Sequence, residues 1–376
     1  MRTCPHRPPC PGCPRFAEPG IAAVHIRALD ALAAAHGLPA VPIFSASDAG
    51  FRHRARLAIR GRVGAAKVGL FELGTHRVVH IPHCSVHHPL INRVAAVVRA
   101  ALSDETLTCY SDGAHLGIAR YLQVVVERAS QSAQVVLVAN SPTIEPLTGC
   151  FERIRERLPS ELHSLWFSAH TDRSNTILGP SLERWHGPES VIEHFGGAGI
   201  HYPPGAFGQS NLQVAQAIIG YLRAQIPAGS RISEFYAGVG AIGLSLLDGA
   251  RELRMNESNP HSLRGLELGL AQLDAPSRAR VSVLAGTAAA AREAACEADV
   301  VIADPPRKGL DRALCEILGD RPPALFLYVS CSLDSFMQDL ERLTSRGRLR
   351  LTAMRAFDLF PFTAHLETVA RFEPRT

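Results

Sequence analysis

Arg231-Ile-Ser-Glu-Phe-Tyr-Ala-Gly-Val-Gly-Ala-Ile-Gly243 is the stretch whose reading decides the fold. The pattern predicts a strand over 231–236, a turn with glycines spaced G-x-G-x-x-G, and then a helix. Gly238 and Gly240 permit a tight turn and a close backbone approach to a ligand. Glu257 ends the next predicted strand, 252–257, where a carboxylate can accept hydrogen bonds from ribose hydroxyls.

Downstream, the pattern keeps alternating. Helix 260–273, strand 280–284, strand 298–303, helix 310–318, strand 324–329, helix 333–345 and a C-terminal strand pair are expected. Upstream of the turn lies helix 210–225. Strands alternating with helices predict an open, mostly parallel α/β sheet of the Rossmann-like kind. Before the loop His201-Tyr-Pro-Pro-Gly-Ala-Phe-Gly208 the pattern differs. Helix 21–36, strands 121–127 and 133–139, helix 145–160 and strand 162–168 read as α+β. Two domains are expected, 1–200 and 201–376, a division that suits 376 residues.

Residues 51–63 alternate with period two. Phe51, Ala55, Leu57, Ile59 and Val63 share one face, and Arg52, Arg54, Arg56, Arg60 and Arg62 the other. A row of like charges repels itself, so the arginine face is expected to meet phosphates; a solvated edge is the alternative. The net charge of +4 permits a nucleic-acid partner without requiring one. No run of about 18 apolar residues occurs, so no transmembrane helix is expected. The N-terminus lacks the apolar core of a signal peptide. Nine cysteines, an odd number, argue against a secreted disulfide framework. A cytoplasmic protein is expected, with no obligatory protein partner evident.

The glycine turn alone leaves open a dinucleotide, an adenosyl ligand such as S-adenosylmethionine, or no ligand. The downstream residues bear on that choice. Val300-Val-Ile-Ala-Asp304-Pro-Pro-Arg307 is a buried strand ending in a polar turn. Ligands of open α/β sheets bind beyond the carboxyl ends of the strands, which is where Asp304 falls. The turn resembles the Asn/Asp-Pro-Pro-aromatic motif of amino-group methyltransferases, but Arg307 replaces the aromatic residue that stacks the target base. Leu325-Phe-Leu-Tyr-Val-Ser-Cys331 places a cysteine between a strand and a helix. There the helix dipole is expected to lower the thiol pKa; taken alone, such a cysteine is more often a packing residue. His365 and Glu367, two apart at the start of a predicted strand 367–372, would face the same way.

Together these residues resemble the RNA 5-methyluracil methyltransferases over almost the whole chain. The resemblance rests on Phe207-Gly-Gln209-Ser-Asn211, Phe235-Tyr236-Ala-Gly238-Val-Gly240, Asp304-Pro-Pro-Arg307, Ser330-Cys331, and Asp358 through Glu367. It implies that the Cys331 thiolate attacks carbon 6 of uracil, making carbon 5 nucleophilic. It implies that Glu367 removes the carbon 5 proton. Gln209, Tyr236, Gly238, Gly240 and Glu257 would hold S-adenosylmethionine, and Asp304 would face the ligand and the uracil edge. The target base must leave its stack to enter such a pocket. The chain departs from the family at Glu234 (usually Asp), Ala237 (usually Cys), Ser332 (commonly Asn) and Thr287, near where an acidic adenine contact is often found. None removes a reacting group.

Cys4, Cys10 and Cys13, spaced C-x5-C-x2-C, are joined by Cys84 as candidate metal ligands. Three close thiolates and one distant one can hold a [4Fe–4S] cluster. Zinc is the rival, with His83, His87 and His88 as substitute ligands. The resemblance favours the cluster, because its cluster-bearing branch carries the same four cysteines. It also points to the short enzymes acting on 23S ribosomal RNA, since Cys4 leaves no room for an N-terminal RNA-binding barrel; transfer RNA remains the second substrate. Two further readings stand beside this one. A nicotinamide-dependent oxidoreductase would use the glycine turn but leave Cys331 and Glu367 unexplained. A catalytically silent iron–sulfur RNA-binding protein would bind RNA without turnover.

Overall fold

The computed structural model describes residues 4–18 and 20–375. The first three residues of the cysteine-rich stretch lie outside the described residues.

The strand after helix Leu212–Gln225 is Ser230–Phe235, and it occupies the middle of an eight-stranded sheet. The order is Ile43–Phe44, Leu349–Phe357, Glu367–Pro374, Leu325–Ser330, Val300–Ala303, Ser230–Phe235, Ala250–Glu257, Val281–Ala285. The five strands from Leu325–Ser330 to Val281–Ala285 are parallel. Glu367–Pro374 runs antiparallel to both its neighbours. Strands Val300–Ala303 and Leu325–Ser330 are buried along their whole length, as parallel strands covered on both faces must be. On one face Val214, Ile218 and Leu222 of helix Leu212–Gln225 pack over Ile232, Leu253, Ile302 and Leu327. On the other, Leu314, Leu318, Phe336 and Leu340 cover Val301, Phe326 and Ala370.

Two outcomes matter for the site. From Ser230–Phe235 the chain builds outward through Ala250–Glu257 on one side and later through Val300–Ala303 on the other. Order therefore reverses beside Ser230–Phe235, and the carboxyl ends of the strands at that switch point are where such sheets bind ligands. Second, the antiparallel strand begins at that same end. Its register pairs Ser330 with Thr368 and Phe357 with Glu367. That register sets Cys331 beside Glu367.

The amino-terminal body is α+β, as its pattern predicts. Its seven-stranded sheet runs Val78–His80, Ala65–Phe71, Arg54–Arg62, Ala119–Glu127, Ser132–Ala139, Leu162–Ala169, Ser181–His186. Helices Pro89–Asp104 and Thr148–Arg157 pack on one face through Ile91, Val94, Val98, Phe151 and Ile154. The first segments cross over: helix Ala23–Ala35 buries Leu29 and Ala33 in the core of the other body, and Ile43–Phe44 pairs with Ala356 and Phe357.

The arginines of residues 52–62 do not form the open phosphate-facing row that the alternation predicts. The second face of this sheet carries its own core of Ala58, Tyr121, Val136, Val138 and Trp166. Arg60 is 7% exposed. Asp112 grips it at 2.6 and 2.8 Å, and the rings of Phe71, Tyr110 and Tyr121 surround it. Arg54 donates to the Ala206 carbonyl at 2.7 Å and lies over Tyr202. Arg52 lies against Phe51 and Phe360. Arg56 and Arg62 remain exposed. Carboxylates, carbonyls and rings thus take up charges that the sequence pattern left unpaired.

Candidate active site

The glycine turn follows Phe235 without a break. Tyr236, Gly238 and Gly240 all adopt left-handed φ values, 61°, 58° and 81°. At Gly240 the φ of 81° strains any side chain, and an ideal Cβ would also press on Leu266 at 2.6 Å, so glycine is favoured there. Glu257 closes the turn from the neighbouring strand. Its carboxylate accepts from the Gly238 N–H at 2.8 Å and from Ser258 and Asn259 N–H at 2.6 Å each. A carboxylate offers about four lone-pair sites, so Glu257 can order the turn and still accept from a ligand hydroxyl. The Tyr236 hydroxyl accepts from the Asp311 N–H at 2.8 Å. Gln209 lies half-buried just before Asn211, which caps helix Leu212–Gln225 through the Val214 N–H.

Asp304 emerges from the adjacent central strand. It keeps some exposed surface, yet packed protein surrounds it, and that burial raises its carboxyl to about 7. Glu367 is 2% exposed, and its Oε1 has no hydrogen-bond partner among the described residues. Burial, then the charge of Asp304, lifts its carboxyl well above the usual range. Glu234, also buried, has an unpartnered Oε2, and burial pushes it up to about 8. Three carboxyls at one end of a sheet thus favour their protonated forms, because a dry, mutually repelling set cannot all ionise.

Cys331 lies between strand Leu325–Ser330 and helix Leu333–Thr344, as its sequence context predicts. The expected lowering of its pKa does not occur. Burial, Glu367 and Asp304 push the thiol up to about 11, against the opposing pull of Arg307. The helix end is already capped, since Ser332 Oγ accepts from the Ser335 N–H. The carboxyls therefore outweigh the dipole, and their effect fades when they are protonated.

A cavity of about 170 Å³ opens over Cys331, lined by His25, Arg307, Ser332, Asp334 and His365 among others. Arg307 Nη2 lies 3.1 Å from His365 Nε2. His25 is the residue the sequence reading missed. It arrives from helix Ala23–Ala35, and no spacing rule links it to a motif 300 positions away. The larger open groove, about 590 Å³ along helix Pro89–Asp104, is lined by His83 but by none of the expected catalytic or cofactor-binding residues.

The four N-terminal candidates share one neighbourhood. Burial and the thiols of Cys84, Cys10 and Cys4 raise Cys13 to about 11. The N–H groups of Val86 and His87 face the Cys84 sulfur. Among the described residues, however, no group of three or more His, Cys, Asp or Glu side chains is drawn together as a metal site. Two of the three substitute histidines have other partners: His87 Nδ1 meets Asn92 Oδ1 at 3.3 Å, and His88 Nδ1 accepts from the Leu90 N–H.

The order of the eight strands, with a glycine turn and an acidic Pro-Pro turn at its switch point, is the α/β methyltransferase fold. The structure of Pyrococcus abyssi tRNA (uracil-54, C5)-methyltransferase in complex with S-adenosyl-L-homocysteine shares it. The TM-score is 0.76 at 23% identity, over 92% of this chain and 81% of that one. A family model described as tRNA (uracil-5-)-methyltransferase matches residues 291–373, the segment holding Asp304, Cys331 and Glu367. An RNA methyltransferase of Protochlamydia amoebophila is 33% identical over 99% of this chain and 97% of its own length. Another, from Geobacter sulfurreducens, is 28% identical over 92% of this chain and 70% of its own length. The chain belongs to the RNA (uracil-5-)-methyltransferase family. Among the described residues no helix is long and apolar enough to cross a membrane.

Proposed function

We propose that this enzyme methylates carbon 5 of a uridine in 23S ribosomal RNA, with Cys331 as nucleophile and Glu367 as base. The observation that carries the chemistry is the strand register that sets Cys331 against a buried Glu367 carboxyl whose Oε1 has no hydrogen-bond partner among the described residues. A buried, unsatisfied carboxyl costs about 1–3 kcal/mol or more, which a substrate contact would offset.

The methyl donor is S-adenosylmethionine, which supplies an electrophilic methyl group when bound. The residues of the glycine turn fit an adenosyl ligand. Gly238 and Gly240 expose backbone there, and Glu257 keeps accepting capacity at the strand end. Gln209 and Tyr236 border the same region by the family pattern, and Asp304 faces both ligands.

The Cys331 sulfur gives up its proton to solvent and forms a bond to carbon 6, and the electron pair moves toward carbon 5 and the carbon 4 oxygen. Carbon 5 takes the methyl group as the donor's methyl–sulfur bond breaks and S-adenosylhomocysteine leaves. Glu367, in its ionised form, then removes the carbon 5 proton, and the carbon 6–sulfur bond breaks to release thiolate. A carboxyl with a raised pKa is a stronger base than an exposed glutamate, and it holds the proton it gains. Asp304, which keeps its proton up to about pH 7, can donate to the uracil edge.

Cys4, Cys10, Cys13 and Cys84 are the residues that would hold a [4Fe–4S] cluster. An all-thiol donor set, two N–H groups facing Cys84, and an apolar shelter of Phe51, Val86 and Phe362 support this reading. Zinc is the competing occupant, and anaerobic purification followed by iron, sulfide and zinc analysis separates them.

The four-cysteine pattern favours ribosomal RNA. Transfer RNA is the second reading, favoured by the substrate named for the Pyrococcus enzyme. Mapping of 5-methyluridine with and without the gene distinguishes them: a site lost from 23S RNA supports the proposal, and one lost from transfer RNA replaces its substrate. For the mechanism, Glu367→Gln should leave an RNA–protein adduct on a denaturing gel. Adding Cys331→Ala should remove that band. Turnover by Cys331→Ala would overturn the mechanism.

A further inference from the structure

The loop 358–366 delivers His365 to the cavity and leads into Glu367; the catalytic body holds its two ends through Leu359 and Leu366, and its middle, at Phe362, packs in a separate small core. At its start, the Asp358 N–H donates to Phe44 O at 2.9 Å, and Asn211 Nδ2 donates to Leu359 O at 3.2 Å. In its middle, the guanidinium of Arg52 lies 5.1 Å from the Phe360 ring centre. Phe362 then holds a left-handed φ of 73°, a conformation that is strained for a side chain of this size.

What holds Phe362 there is the cysteine-bearing N-terminal loop. Its carbonyl accepts from the Arg15 N–H at 2.9 Å. Its ring lies 5.0 Å from that of Phe16. It is 1% exposed, in a small core with Phe51 and Val86 against which Cys13, Phe16 and Cys84 pack. Arg15 Nη1 also reaches Thr363 O at 3.4 Å. Thr363 passes the constraint on: its Oγ1 donates to Phe360 O at 2.8 Å and accepts from the His365 N–H at 3.1 Å. Leu366, 5% exposed, follows, and then Glu367.

We propose that Arg15 and Phe16 are positioning residues for the base: the N-terminal loop clamps Phe362 and so fixes the approach of Glu367 to the Cys331 adduct. This rests on the mechanism proposed above and gives the cysteine loop a role in one step of it, whatever its thiols hold. Strain at Phe362 persists only while its surroundings over-determine it. With the clamp loosened, Phe362 can relax toward negative φ. Cys331 lies between strand Leu325–Ser330 and helix Leu333–Thr344, whereas the bonds of the clamp run to Phe362 and Thr363. Adduct formation should therefore survive, and adduct resolution should suffer.

The test uses the full-length protein with Phe16→Ala, and with Phe16→Leu as the conservative variant. Expected for Phe16→Ala are turnover at least about tenfold lower, accumulation of the RNA–protein adduct as in Glu367→Gln, and unchanged S-adenosylmethionine affinity by calorimetry. Phe16→Leu should restore turnover and clear the adduct. A merely structural defect would lower adduct and turnover together. If Phe16→Ala does not fold, Thr363→Val, which cuts the relay on the loop side, must show the same adduct signature. Wild-type turnover in the folded variant overturns the inference, as does lost turnover without adduct while Glu367→Gln traps it. Absence of adduct in Glu367→Gln removes the mechanism and this inference together.

Discussion

Buried charge is handled differently at two places in the molecule. In the amino-terminal body, Arg60 is held by both oxygens of Asp112, and Glu193, 4% exposed and in the strand Val191–Phe195 outside the seven-stranded sheet, takes the backbone N–H and the guanidinium of Arg128 at 2.9 and 2.6 Å. At the carboxyl end of the catalytic sheet, Glu234 and Glu367 are each about 2% exposed and each leave one oxygen without a partner. A buried polar group without a partner destabilises the fold. The Arg60–Asp112 pair holds the fold together, whereas the unpartnered oxygens of Glu234 and Glu367 stand where a substrate or a proton would be received.

The sharpest break between the bodies should come from the nucleophile. Cys331→Ala should lower methyl transfer by at least about 10⁴-fold, measured with labelled methyl donor, and leave the melting temperature nearly unchanged. Glu367→Gln should follow, lowering turnover by about 10²–10⁴-fold and trapping the adduct. It should also leave the fold intact, because Oε1 of this carboxyl has no hydrogen-bond partner among the described residues to lose. A large loss of stability in Glu367→Gln would contradict the contrast.

How far the sequence foretold these two regions follows from the same physics. Alternating elements from Ser230 onward are periodic and local, so the parallel sheet, the glycine turn and the placement of Asp304, Cys331 and Glu367 could be read directly. The Cys331 pKa could not. It depends on carboxyls brought alongside by the register of an antiparallel strand, and the dipole argument pointed the wrong way. The arginine row was legible as a strand but not as paired groups, because Asp112 lies 52 positions from Arg60. His25 carries no local signal, since its helix joins the catalytic core only through the crossover of the first segments. The strands Ala65–Phe71 and Ser181–His186 and the helix Pro89–Asp104 also went unread; their places are set by long-range pairing and packing.

On the paired side, Asp112→Ala should leave Arg60 buried without its carboxylate. The expected loss is about 3–5 kcal/mol, measured by urea unfolding. The Arg60→Met, Asp112→Ala double variant should recover most of it, because the rings of Phe71, Tyr110 and Tyr121 can pack a methionine. Per folded molecule, turnover should match the parent. A loss below about 1 kcal/mol, typical of exposed pairs, would mean that the pair is effectively solvated.

The smallest effect tests the unpaired side by pH. A glutamate in the unfolded chain ionises near 4.5, whereas burial raises folded Glu234 to about 8. Between those values the folded state keeps a proton that the unfolded state has lost. Its contribution to stability is therefore full below about pH 4.5 and falls as pH rises through about 8. Glu234→Gln removes this dependence. The variant and the parent should melt alike near pH 4, and the variant should gain about 1–3 kcal/mol by pH 8–9, seen as a melting temperature that declines less with pH. If Glu234 were instead a paired structural group like Asp112, its folded pKa would lie low and the substitution would destabilise at every pH above about 5. The sign of the change at pH 8 thus decides whether the catalytic end of the sheet holds its carboxyls in the strained, protonated state on which the contrast between the two bodies rests.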